Sequence, residues 1–282
     1  MTKFIYVINA RGETEPFSCR KVLSSARRAG ASHNTAKKIV NIIRKDVYPG
    51  IETQEIFEKI KQLLSRESPE SAIRFSLKEA MAKLGPTGFP FEKYIGEIFS
   101  RHDFKVKLNQ HIPGHCLTYE IDFLARKGKF IYIGECKYRN LPEGLVNPTL
   151  VLANYARFLD LKKGKFFNKK EFKNLKLRNL VVTNTKFGEN AIKFARCIGA
   201  TELLGWRYPK SGGLEYLIDS QNLYPITILP SLSPGLASAF VSKKIMLVED
   251  ILKLDIEKFA KKMKISPAKL NQLTREAKIL FK

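Results

Sequence analysis

The stretch YEIDFLARKGKFIYIGECKY, residues 119–138, reads as two β-strands joined by a short basic turn. Branched and aromatic residues on both sides of positions 127–128 favour strands, and the glycine between them favours a tight turn. If the turn centres on those two positions, Asp122 lies opposite Ile133. Glu135 then becomes the diagonal neighbour of Asp122, about 7 Å away at Cβ. The pattern predicts a hairpin with two acids side by side.

Two carboxylates at this separation can converge on one divalent ion, and oxygen ligands favour Mg²⁺ or Mn²⁺ over zinc. Lys137 lies two residues beyond Glu135 and so shares its strand face. Its ammonium could orient a water or stabilise the charge that develops on a phosphate. The alternative is a hairpin whose charges are merely solvated. The apolar neighbours of Asp122 and Glu135 weigh against it, because an unpaired acid is costly among them.

The residues around the hairpin predict a mixed sheet with helices on its faces. Helical patterns are expected in three stretches: residues 91–104, a helix capped by Asn147, and the stretch GENAIKFARCIGA. Strands are expected near residues 105–108, 118–125 and 130–138, and in the stretches RNLVVTN and TELLGWRY.

The segments FEKYIGEIF, YEID and GECKY together resemble the PD-(D/E)xK nuclease superfamily, in its Mrr-like and Holliday-junction-resolvase-like branch, over residues 88–206. The resemblance implies that Asp122 and Glu135 bind the metal, that Lys137 is the catalytic lysine, and that Glu92 supplements the metal site. An isoleucine precedes Asp122 where the superfamily name has proline. The resemblance further implies Mg²⁺-dependent cleavage of double-stranded or branched DNA by a homodimer, in genome defence or DNA repair.

The N-terminal segment contains VINARGETEPFSCRKVLSSARRAGAS, GIETQEIFEKI and AIRFSLKEAMAKLGPTG, and it resembles an ATP-cone over residues 3–86. The resemblance implies that ATP or dATP binds as an effector, near Arg11, Glu15, Lys21 and Thr53. Asn-Ala stands where the family has Lys-Arg before the turn, so a scaffold that no longer binds nucleotide is the alternative. Thr53 is also expected to cap the helix that follows it.

The C-terminal segment is helical in pattern and basic, and it is similar to tandem helix-hairpin-helix modules. Its hairpin glycines are replaced, with Lys264 at the second hairpin. Either DNA contact or dimerisation fits this segment. The expected fold is therefore an α/β multidomain protein. Its parts are a small, mostly helical ATP-cone (1–86), a central mixed-sheet, restriction-endonuclease-like α/β domain (87–230), and a helical C-terminal domain (231–282).

Charge points to a polyanionic partner. Fifty Lys and Arg against 27 Asp and Glu leave a net charge of +23 in 282 residues, and nucleic acid is the common partner of such a chain. The run KKGKFFNKKEFKNLKLRN at 162–179 concentrates this charge. No apolar stretch approaches the roughly 18–20 residues that span a bilayer, so no membrane partner is expected. Four scattered cysteines and no export signal lead us to expect a cytoplasmic protein.

The sequence therefore predicts a Mg²⁺-dependent DNA endonuclease whose activity responds to a nucleotide. The rival hypothesis is a catalytically inactive, nucleotide-responsive DNA-binding regulator, in which the hairpin acids are relics.

Overall fold

The computed structural model describes residues 5–85, 88–141 and 143–281. The chain forms two compact units, one of Met1–Ala80 with Ile226–Lys282 and one of Met81–Pro225. We call them the terminal unit and the central unit.

The helices and strands, in chain order, are β1 (Tyr6–Ile8), β2 (Thr14–Pro16), α1 (Cys19–Arg28), α2 (His33–Asp46), α3 (Thr53–Glu67), α4 (Pro69–Phe75), α5 (Leu77–Ala82), α6 (Phe89–Arg101), β3 (Lys105–Pro113), β4 (Thr118–Lys127), β5 (Phe130–Lys137), β6 (Leu145–Val146), α7 (Pro148–Lys163), β7 (Lys176–Thr183), β8 (Lys186–Phe187), α8 (Glu189–Ile198), β9 (Thr201–Leu204), α9 (Leu214–Asp219), α10 (Pro234–Ser242), α11 (Val248–Leu252), α12 (Ile256–Met263) and α13 (Pro267–Leu280).

The terminal unit joins the two ends of the chain. Arg74 Nη2 on α4 donates to the Leu280 carbonyl at the end of α13, and Thr227 Oγ1 donates to the Ala80 carbonyl. The first and third segments of the sequence thus share one compact unit. The division into three domains stays a prediction, and its boundary at 86–87 lies outside the described residues.

Local signals in the sequence account for most of the N-terminal helices. Ser18 and Ser32 cap α1 and α2, each accepting a backbone N–H from the first turn. Gly30 follows α1 with a φ of 95°, a left-handed conformation that glycine adopts without a steric cost. The expectation that Thr53 caps α3 is wrong. Thr53 is the first helical residue, Glu52 takes the cap position, and no side chain there accepts a cap hydrogen bond.

A second strand follows β1 after a short turn. β2 pairs antiparallel with β1, from Tyr6↔Pro16 to Ile8↔Thr14. Asn9 Oδ1 accepts the N–H groups of Arg11 and Glu13 and so builds the connecting turn.

The second C-terminal hairpin keeps a left-handed backbone without a glycine. Lys264 ends α12 at a φ of 54°, and the Ile265 N–H donates to the Ala260 carbonyl to close the helix. A side chain stands where a glycine would let a phosphate approach the backbone closely.

The central unit contains a five-stranded sheet of order β3-β4-β5-β7-β9. The first three strands are antiparallel, while β7 and β9 run parallel to β5. The prediction of a mixed sheet flanked by helices is confirmed. The central unit also contains a small sheet of β6 and β8. The sequence did not predict it, because strands of two residues are too short to show a pattern.

Helices cover both faces of the hairpin. Ile133 on β5 shares a core with Phe158 and Leu161 of α7. On the other face, Phe123 of β4 packs against Phe99 of α6, with ring centroids 5.3 Å apart. Across the described residues, no helix is long and apolar enough to cross a membrane.

Candidate active site at the end of the central hairpin

The register of the hairpin brings Asp122 and Glu135 to the same end of β4 and β5, each one residue beyond the pair Phe123↔Gly134. β4 and β5 pair from Lys127↔Phe130 to Phe123↔Gly134, around a turn at positions 128–129. The predicted pairing of Asp122 with Ile133 is wrong, because the turn centre lies one residue later than expected. Ile133 pairs with Leu124 instead. Extending the register by one step brings Asp122 opposite Glu135.

The regular pairing of β3 with β4 is interrupted at Asp122. Its counterpart on β3 is Asn109, which has a φ of 51°, and the β3–β4 pairing passes from Leu108↔Phe123 to Gln110↔Ile121 without a pair between them. Ile121 and Leu124 both enter the same core, which strict alternation does not allow for residues three apart. The alternation of side chains is therefore broken between them, where Asp122 lies.

The carboxylate of Asp122 bonds to the neighbouring strand. Its Oδ2 accepts the backbone N–H of Cys136 at 2.6 Å. The Cys136 N–H, which lies beyond the last β4–β5 pair, is thus satisfied by the Asp122 side chain. The same hydrogen bond holds the Asp122 carboxylate in place.

Gly134 is required next to the site. A Cβ at this position would overlap the ring of Phe123, which lies directly over the glycine. The glycine lets an aromatic ring from β4 cover β5 one residue before Glu135.

Glu135 forms an ion pair that the sequence did not suggest. Arg157 Nη1 of α7 donates to Glu135 Oε2 at 2.6 Å, and the two side chains are 31% and 19% exposed. The guanidinium also lies 5.8 Å from the ring centroid of Tyr119. The signal available in the sequence was a lone arginine, next to Phe158 on a helix whose buried face is mostly apolar.

Electrostatics link the acids to one another. Burial raises the pKa of Asp122 from 3.8 to about 7, and the neighbouring charges of Glu135 and Glu92 add to that rise. The Cys136 N–H and Arg157 oppose it. Glu92, in the first turn of α6, has a raised pKa, chiefly from burial and then from Glu120 and Glu135. The structure thus brings Glu92, Asp122 and Glu135 within electrostatic reach of one another.

Lys137 ends β5, and its backbone is well anchored. Thr183 Oγ1 donates to its carbonyl at 2.7 Å. The next turn is held by Asn184, which accepts the Arg139 N–H and donates to the Arg139 carbonyl. Within the described part of the chain, the Lys137 ammonium has no ion-pair partner.

The donor chemistry fits a hard divalent cation, since carboxylate oxygens suit Mg²⁺ and Mn²⁺. Burial first, and then the neighbouring charges of Glu135 and Glu92, raise the pKa of Asp122, and a bound cation would favour its ionised form. As arranged, however, no three His, Cys, Asp or Glu side chains among the described residues stand close enough to hold a metal ion. Glu135 is bonded to Arg157 instead, so metal binding requires its side chain to turn.

The predicted nucleotide residues are only partly brought together. Lys21 Nζ forms an ion pair with Glu15 Oε1 at 2.9 Å. Arg11 lies in the turn that leads from β1 to β2, and its N–H donates to Asn9 Oδ1. Thr53 begins α3, next to Glu52, which bridges to Ile8 of β1. Among the described residues, no hydrogen bond or ion pair joins Thr53 to the Glu15–Lys21 pair.

The basic run at 162–179 buries its aromatic side chains and exposes its lysines. Phe167 and Phe172 are buried in the core beneath α7, and the ring of Phe166 contacts Phe167 edge-on and Phe172 in a tilted arrangement. The exposed side of the run carries seven lysines: Lys162, Lys163, Lys165, Lys169, Lys170, Lys173 and Lys176.

Fold and site together define a mixed-sheet α/β protein with a partly buried carboxylate cluster at the end of a hairpin. Residues 224–281 match the family model described as AF1548-like, C-terminal. An uncharacterized protein of Archaeoglobus fulgidus is 33% identical over 186 residues, which cover 65% of this chain and 98% of the relative. The chain belongs to the AF1548-like family.

Two solved structures are similar to this chain. The crystal structure of AF1548, a protein of unknown function, has 31% sequence identity and a TM-score of 0.56, covering 68% of this chain and 97% of that one. The MspJI restriction endonuclease in complex with a 27-mer oligonucleotide has 14% identity and a TM-score of 0.33, over 60% of this chain and 39% of its own.

Proposed function

We propose that this chain is a Mg²⁺- or Mn²⁺-dependent DNA endonuclease that hydrolyses phosphodiester bonds. The observation that carries the proposal is that Glu92, Asp122 and Glu135 lie within electrostatic reach of one another, and that burial and mutual repulsion raise the pKa of Asp122 to about 7. Acids are held close together at such a cost where a cation or a reaction uses them. The resemblance to PD-(D/E)xK nucleases adds a role in genome defence or DNA repair.

Each residue has a role in this proposal. Asp122 and Glu135 would hold the ion, and Glu92 would supplement them. The ion, when bound, supplies a Lewis acid at the phosphate and lowers the pKa of a water. The Cys136 N–H keeps the Asp122 carboxylate in place. The Lys137 ammonium, without an ion-pair partner in the described part of the chain, donates to a phosphate oxygen and offsets its charge.

The substrate we propose is double-stranded or branched DNA, cut by a homodimer. The net charge of +23 supports a polyanionic substrate. The exposed lysines of residues 162–176 lie on the same unit as the carboxylates. They would follow the DNA backbone and add affinity that depends on salt.

ATP or dATP is proposed as an effector of the N-terminal segment, not as a fuel. Lys21 is the cation we expect at the phosphates, with Arg11 as a further contact. Binding would require Lys21 to exchange Glu15 for a phosphate, because the two side chains are paired in this structure.

The second candidate is a catalytically inactive, nucleotide-responsive DNA-binding regulator. The pairing of Glu135 with Arg157 favours it, because a protein that no longer binds a metal has reason to neutralise that acid internally.

A cleavage assay separates the two. Supercoiled plasmid is incubated with the full chain and Mg²⁺ or Mn²⁺, in parallel with Lys137→Ala. We expect nicking or linearisation by the native chain, and a loss of about 10²–10⁴-fold in Lys137→Ala with unchanged DNA affinity.

Lys129→Ala is the matched control, because Lys129 is an exposed lysine of the hairpin turn. It should cleave like the native chain. Folded native protein that binds DNA but leaves plasmid, branched and methylated DNA intact with either metal would establish the regulator instead.

A further inference from the structure

The ion pair between Arg157 and Glu135 occupies the acid that the proposed metal ion needs. The bond is short and charge-assisted, at 2.6 Å between Nη1 and Oε2. Both side chains are mostly shielded from water, with 31% and 19% of their surface exposed. A pair in this setting holds its geometry much better than a surface ion pair does.

The position of Arg157 makes it a counterion for the whole cluster. Its charge acts on Asp122 as well as on Glu135, and it opposes the rise that burial and repulsion produce in the pKa of Asp122. Arg157 comes from α7, which starts ten residues earlier at the Asn147 cap, so its position is set by a helix and not by a loop. The carboxylates are therefore partly neutralised without any bound ion.

We propose that Arg157 acts as an internal counterion that latches Glu135 in the metal-free protein and must release it before a divalent cation binds. This inference rests on the proposed metal site and adds its regulation. A guanidinium and a divalent cation on one carboxylate repel each other, and the shielded position keeps water from screening that repulsion. Metal binding and the Arg157–Glu135 pair thus exclude each other.

The structure also provides a place for the released guanidinium. Arg157 already lies over the ring of Tyr119, 5.8 Å from its centroid. A cation–π contact of this kind persists when the carboxylate is withdrawn. Glu135 itself stays fixed through its backbone, which pairs with Val181, so release requires only its side chain to turn.

The alternative role for Arg157 gives the opposite result. An arginine that merely orients a metal-binding glutamate strengthens metal binding, and its loss weakens affinity, typically 10–100-fold. A latch weakens metal binding, and its loss strengthens affinity. The direction of the change decides between them.

The test is calorimetric titration of the full chain with MgCl₂ or MnCl₂, without DNA, at pH 8 where Asp122 is ionised. We expect Arg157→Gln to bind the ion about tenfold more tightly than the native chain, as expected for removing one positive charge a few ångströms from the ion. Arg157→Lys, which keeps the charge, should stay within about threefold of the native value. Asp122→Asn should abolish binding and so identifies the site.

Arg178→Gln is the matched control. Arg178 has a similar exposure of 33%, forms an ion pair with Glu202, and donates to the Gly199 carbonyl on the far side of the sheet. Arg178→Gln removes one positive charge, as Arg157→Gln does, but at a distance from Asp122 and Glu135. Its affinity for the metal ion should therefore equal that of the native chain. Thermal unfolding gives a second readout. Arg157→Gln should unfold at a lower temperature than the native chain in EDTA, and Mg²⁺ should raise its unfolding temperature more.

The metal affinities of the native chain and of Arg157→Gln distinguish three outcomes. Metal binding by the native chain that weakens or stays unchanged in Arg157→Gln overturns the latch and leaves the metal site standing. No binding of Mg²⁺ or Mn²⁺ by the native chain, together with binding by Arg157→Gln, supports the latch in its strongest form. No binding by either protein overturns both the latch and the proposed metal site.

Discussion

Asp122 on β4 accepts the backbone N–H of Cys136 on β5 through Oδ2, at a distance of 2.6 Å. This bond lies just beyond the last pair of the two strands, Phe123↔Gly134. It fixes the carboxylate beside Glu135, where burial and repulsion hold the pKa of Asp122 near 7. Placing an ionisable group at the end of the hairpin therefore reduces the folding stability of the chain.

The first prediction concerns the pH dependence of stability. The folded-state pKa of Asp122 is about 7, against 3.8 for an ordinary aspartate. Between these values the folded chain holds a proton that the unfolded chain has lost, so the free energy of unfolding falls as pH rises through this window. Asp122→Asn keeps an oxygen for the Cys136 N–H but carries no charge. The free energy of unfolding of Asp122→Asn, relative to that of the native chain, should increase by about 2–4 kcal/mol from pH 4 to pH 7 and then level off.

Urea unfolding in EDTA at pH 4, 5.5, 7 and 8 measures this difference. Asp103→Asn is the control, because it makes the same substitution at a side chain that is 87% exposed. An advantage of Asp122→Asn that is the same at every pH would contradict the raised pKa.

The second prediction concerns the glycine before Glu135. Gly134→Ala forces a methyl group into the ring of Phe123 and should reduce stability by about 1–3 kcal/mol. In a Phe123→Ala background the same substitution should cost little, since the ring is gone. The coupling between the two positions is then read from a double-mutant cycle of unfolding free energies.

Gly235→Ala serves as the control for the glycine itself. Gly235 lies in α10, and a Cβ there meets nothing within 4 Å. This substitution should stabilise the chain by up to about 1 kcal/mol, because alanine is the better helix former. Equal costs of Gly134→Ala with and without Phe123 would disprove the steric account.

The sequence predicted the sheet and the hairpin because their signals are local. Alternating apolar residues, the glycine turn and the Asn147–Pro148 helix start are all readable within a few positions, and the structure contains each of them. The exact register was not readable. A shift of one residue in the turn centre moves the partner of Ile133 from Asp122 to Leu124, and a turn containing several basic residues and one glycine does not fix its own centre.

The remaining features of the site come from distant parts of the chain. Asn109 changes the course of β3 opposite Asp122, and Arg157 reaches Glu135 from a helix 22 residues further along the chain. No spacing rule connects these positions, because they meet only when the sheet and α7 have packed. The packing of α13 against the N-terminal helices was missed for the same reason: the ends of the chain carry no sign of each other.

The third prediction concerns the basic run. If the exposed lysines follow a DNA backbone, each contact releases counterions and contributes to the salt dependence of binding. Replacing Lys165, Lys170 and Lys173 by glutamine should reduce the slope of log K against log salt by about 2–3. Fluorescence anisotropy with a duplex oligonucleotide between low and moderate salt measures the slope.

A charge-matched control replaces three exposed lysines elsewhere, Lys37, Lys45 and Lys193. It should change the slope by less than about 1, since these residues are not expected at the DNA. Equal losses in both triple variants would show that total charge governs binding and that the basic run holds no special position.

The fourth prediction concerns the nucleotide. Lys21 is an exposed lysine held by Glu15 at 2.9 Å, and a phosphate is a stronger partner for it than one carboxylate. We expect the native chain to bind ATP or dATP in calorimetry, and Lys21→Ala to weaken that binding at least about tenfold, as expected for losing one charge-assisted contact. Lys38→Ala is the control, because Lys38 is equally exposed and its ion pair with Glu67, at 3.4 Å, joins α2 to α3 away from the Glu15–Lys21 pair. No heat from either nucleotide at millimolar concentration, or equal affinities of the two variants, would mean that the Glu15–Lys21 pair is structural and that the N-terminal segment is a scaffold.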